Sequence, residues 1–290
     1  MIENYLVQLK ESNSEIYIHG IGHIINEILL RIKPRISFSK LAEKLNVHKS
    51  LIYKWKKDTP ISIKNLYRLC DQIRDFSYFD KIYGNNNGFS SRNSKPINLP
   101  IKLTVPLSYL VGLILGDGCI TFKKGTLLIS SSHLEVKRAK KILMDIFNIN
   151  CKFKSIDNYY LLEITSVPLK EFLNRVFDIP LGKKKDRIRV PKLIFKSNNE
   201  NKIAFIYGFF NSDGSLSVRK DGRMTFAIKQ STRAILEDIS IMLDSLNIKA
   251  KIYQDRTMNS WSINIFKREQ INKIIELFDG CAVSLMVSNI

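Results

Sequence analysis

Two aspartates, each followed by a glycine, end two similar apolar stretches of the chain. The first stretch reads YLVGLILGDG over 109–118 and the second reads FIYGFFNSDG over 205–214, so Asp117 and Asp213 occupy equivalent positions. Small residues lie four apart in each stretch, which leaves one face of each predicted helix without bulk and allows close packing of two backbones. The predicted helix-interface residues are Gly112, Gly116, Gly208 and Ser212.

If these helices pack together, the carboxyl groups of Asp117 and Asp213 meet at two helix C-termini and repel each other. A hard divalent cation such as Mg²⁺ relieves that repulsion, and it could activate water and neutralise charge on a phosphate. We include the preceding residues, Gly116 and Ser212, among the candidate metal-binding positions. The alternative is that each Asp-Gly pair is only a turn that ends a helix.

The glycines that follow, Gly118 and Gly214, are predicted to take the left-handed conformation that ends many helices. Beyond them the chain repeats itself. Two short strands around a turn come first, then an amphipathic helix, a second hairpin and a closing helix. The closing helices are predicted at 168–177 and 268–278. Each copy therefore reads αββαββα, and the predicted fold class is α+β with two pseudo-symmetric repeats at 101–197 and 198–290.

The segments 110–118 and 206–214 resemble the LAGLIDADG, or dodecapeptide, motif of homing endonucleases, and the similarity extends over 101–290. The resemblance implies a saddle of antiparallel strands in the DNA major groove and Mg²⁺-dependent cleavage of both strands. It also implies that Asp117 and Asp213 are the metal-binding acids. Leu115 and Asn211 stand where the family name has its first Asp, at a position that commonly varies.

The family places basic residues beside the metals to stabilise the transition state. Alignment of the two copies puts Lys229 and Lys267 at strand ends in the second repeat. The equivalent residues of the first repeat are Ser130 and Ser166. These two lysines are the further catalytic candidates. The alternative for each is a phosphate contact or simple surface exposure.

The four hairpins contain more basic than acidic side chains, and one face of each could contact DNA. The connector 182–192, GKKKDRIRVPK, is either a second phosphate-contacting segment or a solvated loop. The DNA-binding candidates in the hairpins are Lys123, Lys124, Arg219, Arg223, Lys229, Lys251 and Arg256.

Residues 84–100 are rich in Gly, Asn, Ser and Pro and are predicted to link a small all-α head at 1–83 to the repeats. Within the head, 38–57 resembles the helix-turn-helix of Cro-like repressors, with Asn46 at the turn and Ile52 and Trp55 on the buried side. Plain helix packing is the alternative. The face predicted to enter a major groove carries His48, Lys49, Ser50, Tyr53 and Lys54.

The 290 residues contain 46 Lys and Arg against 27 Asp and Glu, a net charge of +19 that favours a nucleic-acid partner. A solvated Lys-rich surface would give the same count. The four cysteines are far apart, which argues against a zinc site or a disulfide framework. The start of the chain is polar and its apolar runs are short, so we expect a soluble, cytoplasmic protein without a membrane segment.

These features together predict a site-specific DNA endonuclease that acts as a monomer, because both repeats lie in one chain. The chain ends lack the residues of a splicing element, which favours a free-standing or intron-encoded enzyme. Two alternatives remain: a DNA-binding regulator that does not cleave, and an RNA maturase that binds intron RNA.

Overall fold

The computed structural model describes residues 6–10, 12, 15–83, 87–92, 94–122, 125–184, 187–255 and 258–287. The chain forms two compact units. Unit 1 comprises Met1–Lys102, Ile146–Ile149 and Ser166–Arg175, and unit 2 comprises Leu103–Asp145, Asn150–Thr165 and Val176–Ile290. The predicted α+β class with two repeated antiparallel modules is confirmed.

Unit 1 is mainly helical, but it is not all-α as predicted. A three-stranded antiparallel sheet of order β2-β1-β3 accompanies the helices. Its strands are two residues long, too short to leave a periodic signal in the sequence. One of them, β3, lies inside the segment 84–100. The elements are α1 (Leu6–Leu9), β1 (Tyr17–Ile18), α2 (Gly22–Ile32), α3 (Phe38–Leu45), α4 (Lys49–Lys56), β2 (Ile61–Ser62), α5 (Ile63–Ile73), α6 (Ser77–Tyr83) and β3 (Phe89–Ser90).

Helices α3 and α4 form the predicted helix pair. The Ser37 hydroxyl accepts a hydrogen bond from the Lys40 amide and caps α3. Asn46 ends α3 in the left-handed conformation, at φ 53° and ψ 51°, and so turns the chain toward α4. Ile52 and Trp55 are buried on the inner side of α4.

The two repeats follow the same order of elements. The first contains α7 (Val105–Asp117), β4 (Gly118–Ile120), β5 (Thr126–Ser131), α8 (His133–Phe147), β6 (Phe153–Ile156), β7 (Tyr159–Thr165) and α9 (Val167–Phe177). A short helix, α10 (Lys192–Phe195), precedes the second repeat. The second contains α11 (Asn199–Asp213), β8 (Gly214–Val218), β9 (Met224–Gln230), α12 (Arg233–Ser245), β10 (Lys251–Asp255), β11 (Ser260–Ile265) and α13 (Arg268–Val287).

Each repeat builds one four-stranded antiparallel sheet within unit 2. The first sheet has the order β4-β5-β7-β6 and the second has the order β10-β11-β9-β8. One face of each sheet is buried beneath helices, through side chains such as Ile129 and Ile228, which are 0% exposed. The closing helices differ. Most of α9 belongs to unit 1, and α13 continues past the predicted end at residue 278.

Helix α7 lies at the centre of unit 2. Nine consecutive residues, Leu107–Leu115, are buried, which fits an almost entirely apolar sequence that has no polar face to show to solvent. The Thr104 hydroxyl caps its N-terminus, and Pro106 lies in its first turn, where a missing amide hydrogen costs nothing. The helix that packs most extensively on α7 is α11.

Candidate active site

Helices α7 and α11 pack with their backbones almost in contact. A Cβ atom added to Gly112 would lie 2.2 Å from the Phe205 carbonyl oxygen, and one added to Gly208 would lie 2.1 Å from the Tyr109 carbonyl oxygen. Both obstacles are backbone atoms, so neither glycine tolerates a side chain without separation of the helices. The interface continues to the helix ends, where a Cβ on Gly116 would lie 2.2 Å from the Ser212 Cβ.

The glycines that end the two helices are not in the left-handed conformation that the sequence suggested. Gly118 has φ −92° and ψ 160°, and Gly214 has φ −97° and ψ 164°. Each helix passes directly into an extended strand. Glycine is needed because the strand leaves so close to the last helical turn: a Cβ would lie 2.7 Å from the Ile114 oxygen at Gly118 and 2.5 Å from the Phe210 oxygen at Gly214.

Asp117 and Asp213 lie near each other at these helix ends, with raised pKa values. Burial raises the pKa of Asp213 to about 6, and the nearby negative charge of Asp117 adds to the increase. Burial also raises the pKa of Asp117. Each carboxyl group is held by a side chain at the end of a strand in its own repeat. The Gln230 amide donates to Asp213 at 2.7 Å, and the Ser131 hydroxyl bonds to Asp117.

Lys184, in the connector between the repeats, brings a positive charge to the same place. Its Nζ donates to the Ile114, Leu115 and Gly116 carbonyl oxygens at 3.1, 2.7 and 2.6 Å, all in the last turn of α7. The Ile114 oxygen also accepts from the Gly118 amide. A cation there opposes the negative end of the helix dipole. Burial lowers the pKa of Lys184 to about 8, while Asp213 and Asp117 favour its charged form. The ammonium group is therefore mostly protonated at neutral pH.

The backbone of the connector explains how Lys184 reaches the site. Leu181 forms a parallel bridge with Ile120, at the edge of the first sheet, and the Gly182 amide donates to the Ile120 oxygen at 2.7 Å. Gly182 has φ +71°, and a Cβ there would lie 2.5 Å from the Phe122 ring. The connector thus turns back along β4 and directs Lys184 toward the end of α7.

The two lysines proposed from the sequence have other partners. Lys229 is on the opposite face of β9 from Gln230 and pairs with Asp255 at 2.9 Å. Lys267 is exposed after β11, where its carbonyl accepts from the Ile271 amide at the start of α13. The registers support the alignment behind this prediction, because Ile129 and Ile228 pair with equivalent glycines and Ser130 therefore matches Lys229.

Sequence reasoning missed Ser131, Gln230 and Lys184. The first two could have been found, because each lies one residue beyond a position that the repeat alignment had already selected. Lys184 stood in a run of three lysines, and nothing local distinguishes the one that turns inward. Neither interpretation of the connector anticipated a lysine bonded to a helix end.

The DNA-binding candidates on the second repeat and the head are at the surface. Arg219 and Arg223 belong to the β8–β9 turn, where Arg223 pairs with Asp221, and Lys251 is exposed on β10. Lys123, Lys124 and Arg256 lie outside the described residues. The predicted groove-entering face of α4 is exposed, and it consists of His48, Lys49, Ser50, Tyr53 and Lys54.

Among the described residues, no group of three or more His, Cys, Asp or Glu side chains could hold a metal. The two aspartates are the acidic side chains that the ends of α7 and α11 bring together. In the same part of the chain, no helix is both long enough and apolar enough to cross a bilayer.

Two family models match the repeats. A LAGLIDADG-like domain matches residues 200–278, and a WhiA LAGLIDADG-like domain matches residues 107–176. The matches cover α11 to α13 and α7 to α9, including both aspartates. The chain thus contains two LAGLIDADG-like domains.

Curated relatives share a segment with this chain but are much longer. The probable translation initiation factor IF-2 of Methanocaldococcus jannaschii is 26% identical over 73% of this chain and 20% of its own length. RNA polymerase subunit Rpo1C of the same organism is 23% identical over 76% of this chain and 25% of its length. Ribonucleoside-diphosphate reductase NrdEB subunit alpha of Bacillus subtilis is 25% identical over 51% and 15%. The chain spans about a quarter or less of these relatives.

Solved structures with a similar fold include I-DmoI in complex with DNA and Mn. It is 21% identical, with a TM-score of 0.45, over 61% of this chain and 98% of that chain. Full-length WhiA from Thermatoga maritima is 16% identical, also with a TM-score of 0.45, over 62% and 57%.

Proposed function

We propose that this protein is a site-specific endonuclease that uses a divalent metal to cut both strands of duplex DNA. The observation that carries the proposal is the meeting of Asp117 and Asp213 at the ends of two helices that glycines bring into contact. Burial raises the pKa of both carboxyl groups, and the charge of Asp117 raises that of Asp213 further, so the charged pair is costly unless a cation binds it. Repeated structural turns alone would not require the two acids to meet.

The donors at this position suit a hard cation such as Mg²⁺. Asp117 and Asp213 would hold it, together with the carbonyl oxygens of Gly116 and Ser212, the residues that precede them. A bound metal would supply charge neutralisation at a phosphate and an activated water. The Gly116 oxygen already accepts from Lys184, so a metal would share this carbonyl with the lysine.

The surrounding side chains have roles of their own in this proposal. Gln230 and Ser131 fix the orientation of the two carboxyl groups through hydrogen bonds. Lys184 contributes a fixed positive charge that stabilises negative charge developing on a phosphoryl group. The site thus has one acid per repeat but a single lysine from the connector, which breaks its two-fold symmetry.

Two further observations support DNA as the substrate. The net charge of +19 favours a polyanion, and the strands that begin directly after Asp117 and Asp213 belong to sheets that each have one face of mostly exposed or partly exposed side chains. The relatives have widely different names, and each is similar to this chain over a quarter or less of its own length. Such a distribution is expected for a segment that inserts into different host genes at sites that it cuts.

A second candidate is a DNA-binding regulator that does not cleave. The match of the first repeat to a WhiA LAGLIDADG-like domain favours this alternative. It predicts sequence-specific binding without any strand break, and the presence of both aspartates weighs against it. A third alternative, an intron RNA maturase, has no specific support from the structure.

The decisive experiment exposes a library of randomised duplex DNA to the full-length protein with Mg²⁺ and sequences the cut ends. We expect staggered double-strand breaks at a recurring sequence. Asp117→Asn and Asp213→Asn should each reduce the cleavage rate by about 10²–10³-fold, because each removes charge on which metal binding depends. EDTA should abolish cleavage of both strands.

Asp279→Asn is the matched control, since Asp279 is an exposed acid on α13. It should cleave as the wild type does. Recurring binding sites without breaks at any Mg²⁺ concentration would favour the regulator. Preferential binding of structured RNA over duplex DNA would favour the maturase. Cleavage that survives both active-site substitutions would contradict the proposed site.

A further inference from the structure

The two sheets of unit 2 have equivalent registers but expose different side chains. Gly118 pairs with Ile129 in the first sheet, and Gly214 pairs with Ile228 in the second, so the two isoleucines occupy equivalent positions. Both are buried against helices. Side chains alternate along a strand, so the neighbours of these isoleucines lie on the face that the helices leave open.

In the first sheet the centre of this open face is apolar. Leu128 and Leu161 lie at its centre on adjacent strands, and both are partly exposed. The cross-strand rows of the face are Thr126 with Thr165; Cys119, Leu128 and Glu163; Ser130, Leu161 and Lys154; and Ile156 with Tyr159.

In the second sheet the same face is mainly polar. Ala227 replaces Leu128 and Ser262 replaces Leu161 at the equivalent register positions. The corresponding rows are Ser215, Ala227, Asn264 and Lys251; Lys229, Ser262 and Tyr253; and Asp255 with Ser260. The repeats have therefore kept the same buried face while their open faces have diverged.

The two open faces suit different base edges. In the major groove, three of the four bases present only hydrogen-bonding groups, whereas thymine also presents a methyl group. Serine, asparagine and lysine read the hydrogen-bonding groups. A leucine at the same position displaces water from a polar base edge and cannot make the hydrogen bonds that the water made. It packs favourably against a thymine methyl group.

We propose that the first sheet reads a half-site rich in A·T pairs, with thymine methyl groups packed on Leu128 and Leu161, while the second sheet reads its half-site by hydrogen bonds. The inference rests on the proposed function, because it places both open faces in the major groove of one duplex. Glu163 is the one acid on the first face, and it would accept from the amino group of a cytosine or an adenine.

Duplex DNA is the occupant that fits this face. The face is continuous with the candidate active site, because Cys119 in its first row lies two residues after Asp117. A substrate cut at the aspartates must therefore pass along these strands. An apolar protein partner would not explain why a basic chain directs the face toward a pair of metal-binding acids.

The test starts from duplexes that the full-length protein selects from randomised DNA in the absence of Mg²⁺. We expect one half of the consensus to be rich in A·T pairs. Resynthesis with deoxyuridine for thymidine, in one half-site at a time, removes only the methyl groups. Binding should weaken by about fourfold per contacted methyl in the A·T-rich half and remain unchanged in the other half.

The variant Leu128→Ala, Leu161→Ser installs the residues of the second sheet in the first. It should bind the thymidine and deoxyuridine duplexes equally, and Ala227→Ser should leave the methyl effect intact as a control. A consensus whose halves are equally insensitive to deoxyuridine would overturn the inference while the endonuclease proposal stands. Failure to select any duplex would overturn both.

Discussion

At the scale of single residues, the candidate site combines three groups whose proton affinities are all shifted by burial. Asp117 and Asp213 hold protons more tightly than free aspartates, and Lys184 holds its proton less tightly than a free lysine. Their mutual attraction offsets only part of the burial cost. Such a cluster is poorly suited to a purely structural role, and the proposed metal would stabilise the charged form of both carboxyl groups.

The raised pKa of Asp213 predicts how stability depends on pH without metal. The folded-state pKa of about 6 exceeds the ordinary aspartate pKa of 3.8, so the folded protein holds this proton more tightly. Stability should therefore fall as pH rises from about 4 to 6 and then stay constant. Asp213→Asn removes the effect. In EDTA the variant should be more stable than the wild type by about 3 kcal/mol at pH 7.5, and the difference should become small near pH 4.

Thermal unfolding at both pH values measures this difference, and Asp238→Asn provides the contrasting control. Asp238 is also buried in unit 2, but it accepts two hydrogen bonds from Arg189 and one from the Val190 amide. Its replacement should destabilise the protein at pH 7.5, because it leaves a guanidinium group without its carboxylate. If Asp213→Asn is instead less stable than the wild type at pH 7.5, the Asp213 carboxylate is stabilised by its protein neighbours and needs no metal.

At the scale of elements, the close contact of α7 and α11 determines where the acids lie. Gly208→Ala places a Cβ about 2.1 Å from the Tyr109 oxygen, so the helices must separate or tilt. We expect a loss of about 3 kcal/mol of stability, together with a loss of cleavage. Gly280→Ala is the matched control, because Gly280 lies in α13 with nothing within 4 Å of an added Cβ. It should be neutral or stabilise by up to about 1 kcal/mol.

Denaturation midpoints of the two variants provide the measurement. Equal midpoints for Gly208→Ala and wild type would mean that the α7–α11 interface is looser than these distances imply. If Gly280→Ala is also destabilised, an added methyl group is costly anywhere in a helix. The destabilisation of Gly208→Ala would then not report on the contact between α7 and α11.

Elements that depend on local pattern were predictable from the sequence, and features set by tertiary position were not. The repeated hairpins and helices follow from alternating and amphipathic patterns, and the small-residue spacing predicted which faces of α7 and α11 meet. The conformation of Gly118 was predicted wrongly, because helix C-termini usually end in a left-handed residue and here a strand follows at once. Lys184 was missed because its partners are carbonyls about 70 residues away in sequence.

At the scale of the whole molecule, basic charge is present in both units, and two surfaces suit DNA. One is the pair of open sheet faces in unit 2. The other is the exposed side of α4 in unit 1. Asn46 forms the turn between α3 and α4, and the buried side chains of Ile52 and Trp55 pack the opposite side of α4 into the core of the unit. We infer that the head adds affinity, and that cleavage chemistry belongs to unit 2 alone.

The salt dependence of DNA binding separates these roles. A lysine that neutralises one phosphate contributes about 0.9 to the slope of log affinity against log salt. Lys49→Ala and Lys54→Ala should therefore each lower that slope by about 1 and weaken binding, without changing the cleavage rate at saturating DNA. Lys81→Ala removes the same charge from α6, where the ammonium already pairs with Glu27 at 3.0 Å, so its slope should match the wild type. If all three substitutions lower the slope equally, the head contributes to binding only through its overall positive charge. If only the α4 substitutions lower the slope, α4 is a helix that contacts DNA.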